Sequence, residues 1–172
     1  MAKKLYLILI ISLLLSVSSV YSEELTIVSP ELVPFRWETG FKLGGARFHD
    51  DVKTDQWMPA LEISFDRRIA YPLLMGLSIH GGINDDLWQF ILKPDIIVRL
   101  PVLPRTRLDL KTGPLVYFFD DNVNQDLKPG LHAGIALKVF IKRHLSLEIG
   151  VTEHIISQKE FNNRFYYLGI NY

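Results

Sequence analysis

The sequence predicts an all-β chain: eight antiparallel strands in up-and-down order, closed into a transmembrane β-barrel and preceded by a cleaved signal peptide. Three observations carry this. From Phe35 onward apolar and polar residues alternate in one segment after another, the period of a strand whose side chains point to opposite faces. The number of such segments is even, as up-and-down closure requires. The apolar face is also too bulky to be an interior. About five large apolar residues on each strand make roughly forty side chains, whereas an eight-stranded barrel is only just wide enough inside to be filled. The opposite face, rich in Gly, Ala and Ser with a minority of long charged residues, fits that space. The apolar face therefore points outward, where only lipid tolerates it.

The amino terminus supplies the route to a membrane. Lys3 and Lys4 precede an apolar run from Leu5 to Leu15, and small residues follow from Ser16 to Ser22. Charged head, apolar middle and small-residue tail are the parts of a secretory signal peptide, here residues 1–22 with cleavage before Glu23. The run is short for a membrane-spanning helix, which needs roughly 20 apolar residues. Residues 23–34 read as a loose periplasmic leader interrupted by Pro30 and Pro34. Residues 35–172 form the barrel. The chain has no cysteine, which excludes disulfides, thiolate metal sites and lipid attachment through an N-terminal cysteine. Its 19 basic and 19 acidic residues balance, and loss of Lys3 and Lys4 leaves an acidic excess. That balance lacks the basic footprint of a nucleic-acid partner.

Each strand reads as follows. The first, Phe35 to Phe48, places Phe35, Trp37, Phe41 and Leu43 outward, with Arg36, Glu38 and Lys42 on the other face. The second, Trp57 to Asp66, sets Trp57, Pro59, Leu61, Ile63 and Phe65 against Ala60, Glu62, Ser64 and Asp66. The third sets Leu73, Met75, Leu77 and Ile79 against Leu74, Gly76, Ser78 and His80. The fourth, Trp88 to Leu100, sets Trp88, Phe90, Leu92, Pro94, Ile96, Val98 and Leu100 against Gln89, Lys93, Asp95 and Arg99, with Ile91 and Ile97 as exceptions. The fifth, Arg107 to Phe119, sets Leu108, Leu110, Val116 and Phe118 against Arg107, Asp109, Lys111 and Gly113. The sixth sets Leu131, Ala133, Ile135, Leu137, Val139 and Ile141 against His132, Gly134, Ala136, Lys138 and Lys142. The seventh sets Leu145, Leu147, Ile149 and Val151 against Ser146, Glu148, Gly150 and Thr152. The last, Asn163 to Tyr172, sets Tyr166, Leu168, Ile170 and Tyr172 against Phe165, Tyr167, Gly169 and Asn171.

Connections after the even strands are tight and those after the odd strands longer, with Asp120 to Pro129 the longest. Outer-membrane barrels have this asymmetry, with short periplasmic turns and longer outside loops. The outward aromatics sort to two levels. Trp57, Trp88, Phe90, Phe118 and Tyr166 lie near the loop end; Phe35, Trp37, Phe65, Tyr71 and Tyr172 lie near the turn end. Two aromatic girdles around an aliphatic band are what a membrane slab selects. A soluble β-sandwich, the main competitor, has no reason to sort them so. Pro59, Pro94 and Pro114 fall inside strands, where each removes a ladder hydrogen bond, so bulges or shorter strands are expected there.

A last strand that ends on the aromatic Tyr172 resembles the closing strand of bacterial outer-membrane barrels. In that family this ending is the address read by the barrel-assembly machinery. The whole mature chain resembles the small eight-stranded outer-membrane proteins of the OmpX and OmpA-barrel type, by pattern rather than by a long motif. The resemblance implies an outer-membrane location and contact with outer-membrane lipids and lipopolysaccharide. It leaves function open, since the group includes adhesins, structural barrels and lipid-modifying enzymes.

Three constellations bear on function. The inner-face charges Arg36, Glu38, Lys42, Glu62, Asp66, Lys93, Asp95, Arg99, Arg107, Asp109, Lys111, Lys138, Lys142 and Glu148 mix both signs, which predicts a packed ion-pair plug rather than an open bore. The loop aspartates Asp50, Asp51, Asp55, Asp85, Asp86, Asp120, Asp121 and Asp126 supply oxygens of the kind that bind Ca²⁺, though aspartate also simply suits turns. Glu153-His154, Ser157 and Glu160, late in the chain at the loop end, resemble the His-x-Ser pair and downstream acid of the eight-stranded lipid A deacylases. Two residues separate His154 from Ser157, which puts them on opposite sides of an extended strand and disfavours the hydrogen bond that activates a serine. His144 and Ser146 have the closer spacing but lie at the turn end. No phosphate loop or zinc motif occurs. The expectation is a non-catalytic barrel without metal or cofactor, structural or interacting through its outer loops. A deacylase using His154 and Ser157 and a narrow small-solute channel are the alternatives.

Overall fold

In the computed structural model, which describes residues 37–48, 57–83, 88–120, 125–142, 144–157 and 162–172, the alternating segments form eight strands. They are β1 (Trp37–Phe48), β2 (Trp57–Ala70), β3 (Leu73–Ile83), β4 (Trp88–Leu103), β5 (Thr106–Asp120), β6 (Gln125–Lys142), β7 (Leu145–Ile156) and β8 (Asn163–Asn171). The signal peptide, the leader, Phe35 and Arg36 lie outside the described residues. Each strand pairs antiparallel with its sequence neighbours, and β8 returns to β1 to close the barrel. Closure runs from Gly40 opposite Asn171 to Phe48 opposite Asn163. It is extended by reciprocal backbone bonds of 2.8 Å between Thr39 and Tyr172. A closed ladder leaves no unpaired edge, which is what allows strands to cross lipid.

The short connections are two residues each: Tyr71–Pro72, Pro104–Arg105 and Arg143–His144. Each is preceded by a register shift that leaves one residue unpaired, namely Ile69, Val102 and Ile141. Strands β2 and β4 therefore run further toward the turn end than alternation alone indicates, to Ala70 and Leu103, whereas β6 ends at Lys142 as read. Strand β6 also begins at Gln125, so the span Asp120 to Pro129 is mostly strand. The longest connection is the one between Phe48 and Trp57. The polar start of β6 and its Pro129 hide that strand from a reading based on alternation.

The strand prolines are accommodated differently from expectation. Of Pro59, Pro94 and Pro114 none lies at a bulge, and no strand is cut short; Pro101 in β4 does flank one, at Val102. Register places Pro94 directly opposite Pro114, in a stretch of the β4–β5 ladder without pairs between Leu92–Val116 and Ile96–Thr112. Two missing N–H groups thus share one interruption. Pro59 sits one residue beyond the last β2–β3 pair, Ala60 with Gly82. At the closing seam Gly44 is obligatory, because a Cβ there would run into the backbone carbonyl of Tyr166.

Inside and outside separate as alternation predicts. The outer surface exposes Leu43, Leu61, Met75, Leu77, Ile96, Leu110, Ile135, Ile149 and Leu168, an aliphatic belt that water would not tolerate. Aromatics flank it at both ends. Trp57 meets Tyr166 at a ring separation of 5.7 Å and Trp88 meets Phe118 at 5.3 Å near the loops. Trp37, Phe65, Tyr71 and Tyr172 are exposed near the turns.

Candidate functional site

The barrel interior is built in layers, and each inner side chain is placed there by strand parity. Nearest the loops it is apolar: Phe48, Met58, Ile91, Leu115, Tyr117, Phe119, Ile156 and Phe165 form a buried cluster. Tyr117 and Phe119 rings lie 5.5 Å apart. Residue type in sequence does not announce this cap, since the same types fill the outer belt. Parity alone points inward for Phe165 and for the exception Ile91, while the other exception, Ile97, is buried nearer the turns.

Below it come His80, Gln89, His154 and Asn163, all buried. The His80 ring packs edge-on against Phe165 at 4.5 Å and His154 at 5.1 Å. His154 Nδ1 lies 2.8 Å from Asn163 Oδ1, which can only accept. Nδ1 therefore carries the proton, and Nε2 is left to accept from the Lys93 ammonium at 3.2 Å.

Charged groups fill the rest. Glu62 accepts from Lys42 at 2.5 Å and from Lys93. Glu148 accepts from Lys111 at 2.6 Å, from the Tyr167 hydroxyl at 3.0 Å and from Asn171 at 3.0 Å. Asp95 is bound by Ser78 at 2.5 Å and by His132 Nε2 at 2.8 Å. Toward the turns, Arg99 makes a bidentate pair with Asp109 at 2.8 and 2.9 Å. Arg99 also reaches Glu38 at 2.5 Å, and Lys138 donates to Glu38 at 3.1 Å. Every buried Lys and Arg among the described residues thus has a carboxylate oxygen within 3.1 Å. Such pairing is what makes buried charge tolerable. Ser64 Oγ, Asp66 Oδ1, His80 Nδ1, His132 Nδ1 and Asn171 Oδ1 are buried without a hydrogen-bond partner among the described residues, so the polar packing is incomplete at several levels of the lumen.

Two predicted interior charges lie elsewhere. Arg107 folds back onto the turn, donating to the carbonyls of Leu103 at 2.8 Å and Thr106 at 3.1 Å. Lys142 lies beyond the β6 bulge and is exposed. For Lys142 the bulge at Ile141 ends the inner face earlier than strict alternation implies. Arg107 keeps the inner parity of β5, opposite Lys138, but sits at the turn-end mouth, where its guanidinium bonds the turn instead of the lumen. Arg36 is outside the described residues.

The enzyme-like patch is not assembled into a nucleophile and base. His154 points inward, buried, with both ring nitrogens engaged. Ser157 is exposed, with its backbone N–H bonded to Pro129 O at 3.1 Å. Glu153 pairs with Arg164 at 2.5 Å, and Glu160 is outside the described residues. At the turn end His144 is exposed against the Tyr172 ring, whereas Ser146 is buried. Among the described residues, no three His, Asp or Glu converge on a possible metal site. Of the loop aspartates, Asp50, Asp51, Asp55, Asp85, Asp86 and Asp121 lie outside those residues. Asp120 and Asp126 are placed only as strand ends, opposite Gln125 and Phe119.

No protein-family model matches the chain, and no curated protein matches its sequence. Solved structures do match. Neisserial surface protein A is similar with a TM-score of 0.68 at 11% identity, over 78% of this chain and 95% of that one. The N-terminal β-barrel domain of Pseudomonas aeruginosa OprF gives 0.61 at 10%, over 80% and 97%. The Yersinia pestis attachment invasion locus protein Ail gives 0.60 at 9%, over 81% and 99%. Ail has also been solved with the heparin analogue sucrose octasulfate. This chain has the fold of the small eight-stranded outer-membrane β-barrels. Its exposed apolar belt is that of a membrane-spanning barrel.

Proposed function

We propose that the chain is a closed, non-catalytic outer-membrane barrel whose role is structural or is exercised through its outer loops. In this reading residues 1–22 are removed on export, 23–34 form a periplasmic leader, and the strand ending at Tyr172 addresses the chain to the barrel-assembly machinery. The observation that carries it is the interior: beneath an apolar cap, each buried Lys and Arg among the described residues is paired with a carboxylate across the lumen. Against the deacylase alternative, His154 and Ser157 make no pair among the described residues. Against the channel alternative, a solute would have to pass the buried apolar cluster at the loop end.

The loops narrow the class of surface partner. Their segments carry Asp50, Asp51, Asp55, Asp85, Asp86, Asp121 and Glu160 against Lys53 and Lys159. Such a surface repels a polyanion of the kind seen with Ail. It favours a cationic ligand, or divalent ions bridging it to lipopolysaccharide phosphates. Planar-bilayer recording tests the closed barrel: no step-like currents are expected, and regular single-channel steps would refute it. Mass spectrometry of lipid A from cells with and without the protein tests the absence of catalysis; loss of an acyl chain on expression would overturn it.

A further inference from the structure

The three tight turns share a construction that the closed-barrel reading does not use. Each register shift ejects one β-branched apolar residue, Ile69, Val102 or Ile141, at the turn end and on the outward parity of its strand. Ile69 and Val102 are about half exposed, at 48% and 53%, and Tyr71 and Leu103 beside them are exposed too. Basic residues accompany every bulge: Arg67 and Arg68 at the first, Arg105 and Arg107 at the second, Lys142 at the third. Across residues 67–73, 100–108 and 139–145 the sequence contains no Asp or Glu. The opposite end of the barrel carries the acidic loops. On the lipid-facing side Arg67 lies over the Trp37 ring, 5.4 Å from its centre.

From this repeated pairing of an ejected apolar residue with a basic one, we infer that the turn end is a binding rim for anionic phospholipid headgroups. It rests on the reading of the chain as membrane-embedded and adds which lipid it holds and where. A turn that only faced water would not need an apolar bulge. A soluble acidic partner would be served by the arginines alone. An anionic phospholipid satisfies both: its acyl chains cover Ile69, Val102 and Leu103, and its phosphate meets the arginines at headgroup depth. Basic residues next to a negatively charged leaflet are attracted in this way, and the attraction fades with salt. An aromatic ring under a guanidinium suits the same depth.

The test uses the mature barrel refolded into phosphatidylcholine vesicles with and without about one-fifth phosphatidylglycerol, and native mass spectrometry of the lipids it retains. The wild type should retain phosphatidylglycerol in preference to phosphatidylcholine. R67Q/R105Q/K142Q should lose that preference by roughly five-fold for each charge removed, while the loop-end control R47Q/R164Q keeps it. Folding of each variant is read from its gel mobility without heating. If the triple variant fails to fold, the wild type decides alone: its preference should fall steeply with added salt. Equal retention of the two lipids by the wild type, equal loss in the loop-end control, or a salt-independent preference would overturn the inference. So would soluble polyglutamate displacing the bound phosphatidylglycerol, which would point to an acidic protein partner. A barrel that inserts and is closed but shows no lipid preference refutes the rim and leaves the proposed function standing.

Discussion

Replacing Glu62 by Gln removes the one carboxylate bonded to both Lys42 and Lys93. The side chains of all three are at most 3% exposed. Among its close contacts Lys93 would then keep His154 Nε2 at 3.2 Å, and Lys42 would keep Glu148 at 4.0 Å, with Asp95 and Asp66 acting only from further away. If the lumen is packed and dry, breaking this pair strands two ammonium groups and should cost about 3–5 kcal/mol. If it is wet, water screens the ammoniums and the cost falls to about 0–1 kcal/mol, as for surface pairs. The two regimes are separable by urea unfolding of the barrel in lipid vesicles. With a slope of about 1–3 kcal/mol per molar, a dry lumen shifts the midpoint down by about 1 M or more. Tryptophan fluorescence reports the transition, because Trp37, Trp57 and Trp88 all face lipid when folded and water when unfolded. K93M/E62Q should recover part of the loss, since one stranded charge goes with the lysine. A folded E62Q barrel losing less than about 1 kcal/mol would refute the dry plug.

Other outcomes follow from the same structure. G44A should block closure, because its Cβ meets the Tyr166 carbonyl on the β1–β8 seam; the unheated protein should run at its unfolded position on a gel. L168R, in the middle of the lipid-facing belt, should cost about 2–4 kcal/mol in the same urea assay. H154A should cost about 1–3 kcal/mol by orphaning Asn163 Oδ1, whereas S157A should change stability by less than about 0.5 kcal/mol. Neither should alter the lipid A acyl pattern, which mass spectrometry reads directly.

Much of the fold is legible in the sequence because lipid enforces alternation. A single polar residue facing hydrocarbon is costly, so the outer face of each strand stays apolar and its parity shows. Trp57, Leu61, Phe65 and their inner neighbours Ala60, Glu62 and Ser64 all sit where counting in twos places them. Inside the barrel no such rule holds. Phe48, Leu115, Phe119 and Phe165 are buried in the loop-end cap, yet their residue types are those of the outer belt. The bulges at Ile69, Val102 and Ile141 break the count near the turns, and Lys142 falls outside the lumen for that reason. Arg107 has the inner parity, but its side chain turns back onto the Leu103 and Thr106 carbonyls, which no count can foresee. The prolines misled for another reason: each looks like a separate defect in sequence, and only the register shows Pro94 meeting Pro114. The network around Glu148 is long-range pairing between strands, and a local pattern cannot carry it.

Glu38 belongs to the first strand but is gripped by Arg99, 61 positions later, and Lys138, 100 positions later. A partly rolled sheet would therefore carry bare carboxylate and guanidinium into the acyl chains. Rolling up and charge neutralisation are a single event for this polypeptide, and half-made curls have no comfortable resting place. Changes to one such lumen residue act on whether the sheet can zip shut at all, before they act on how long it stays shut.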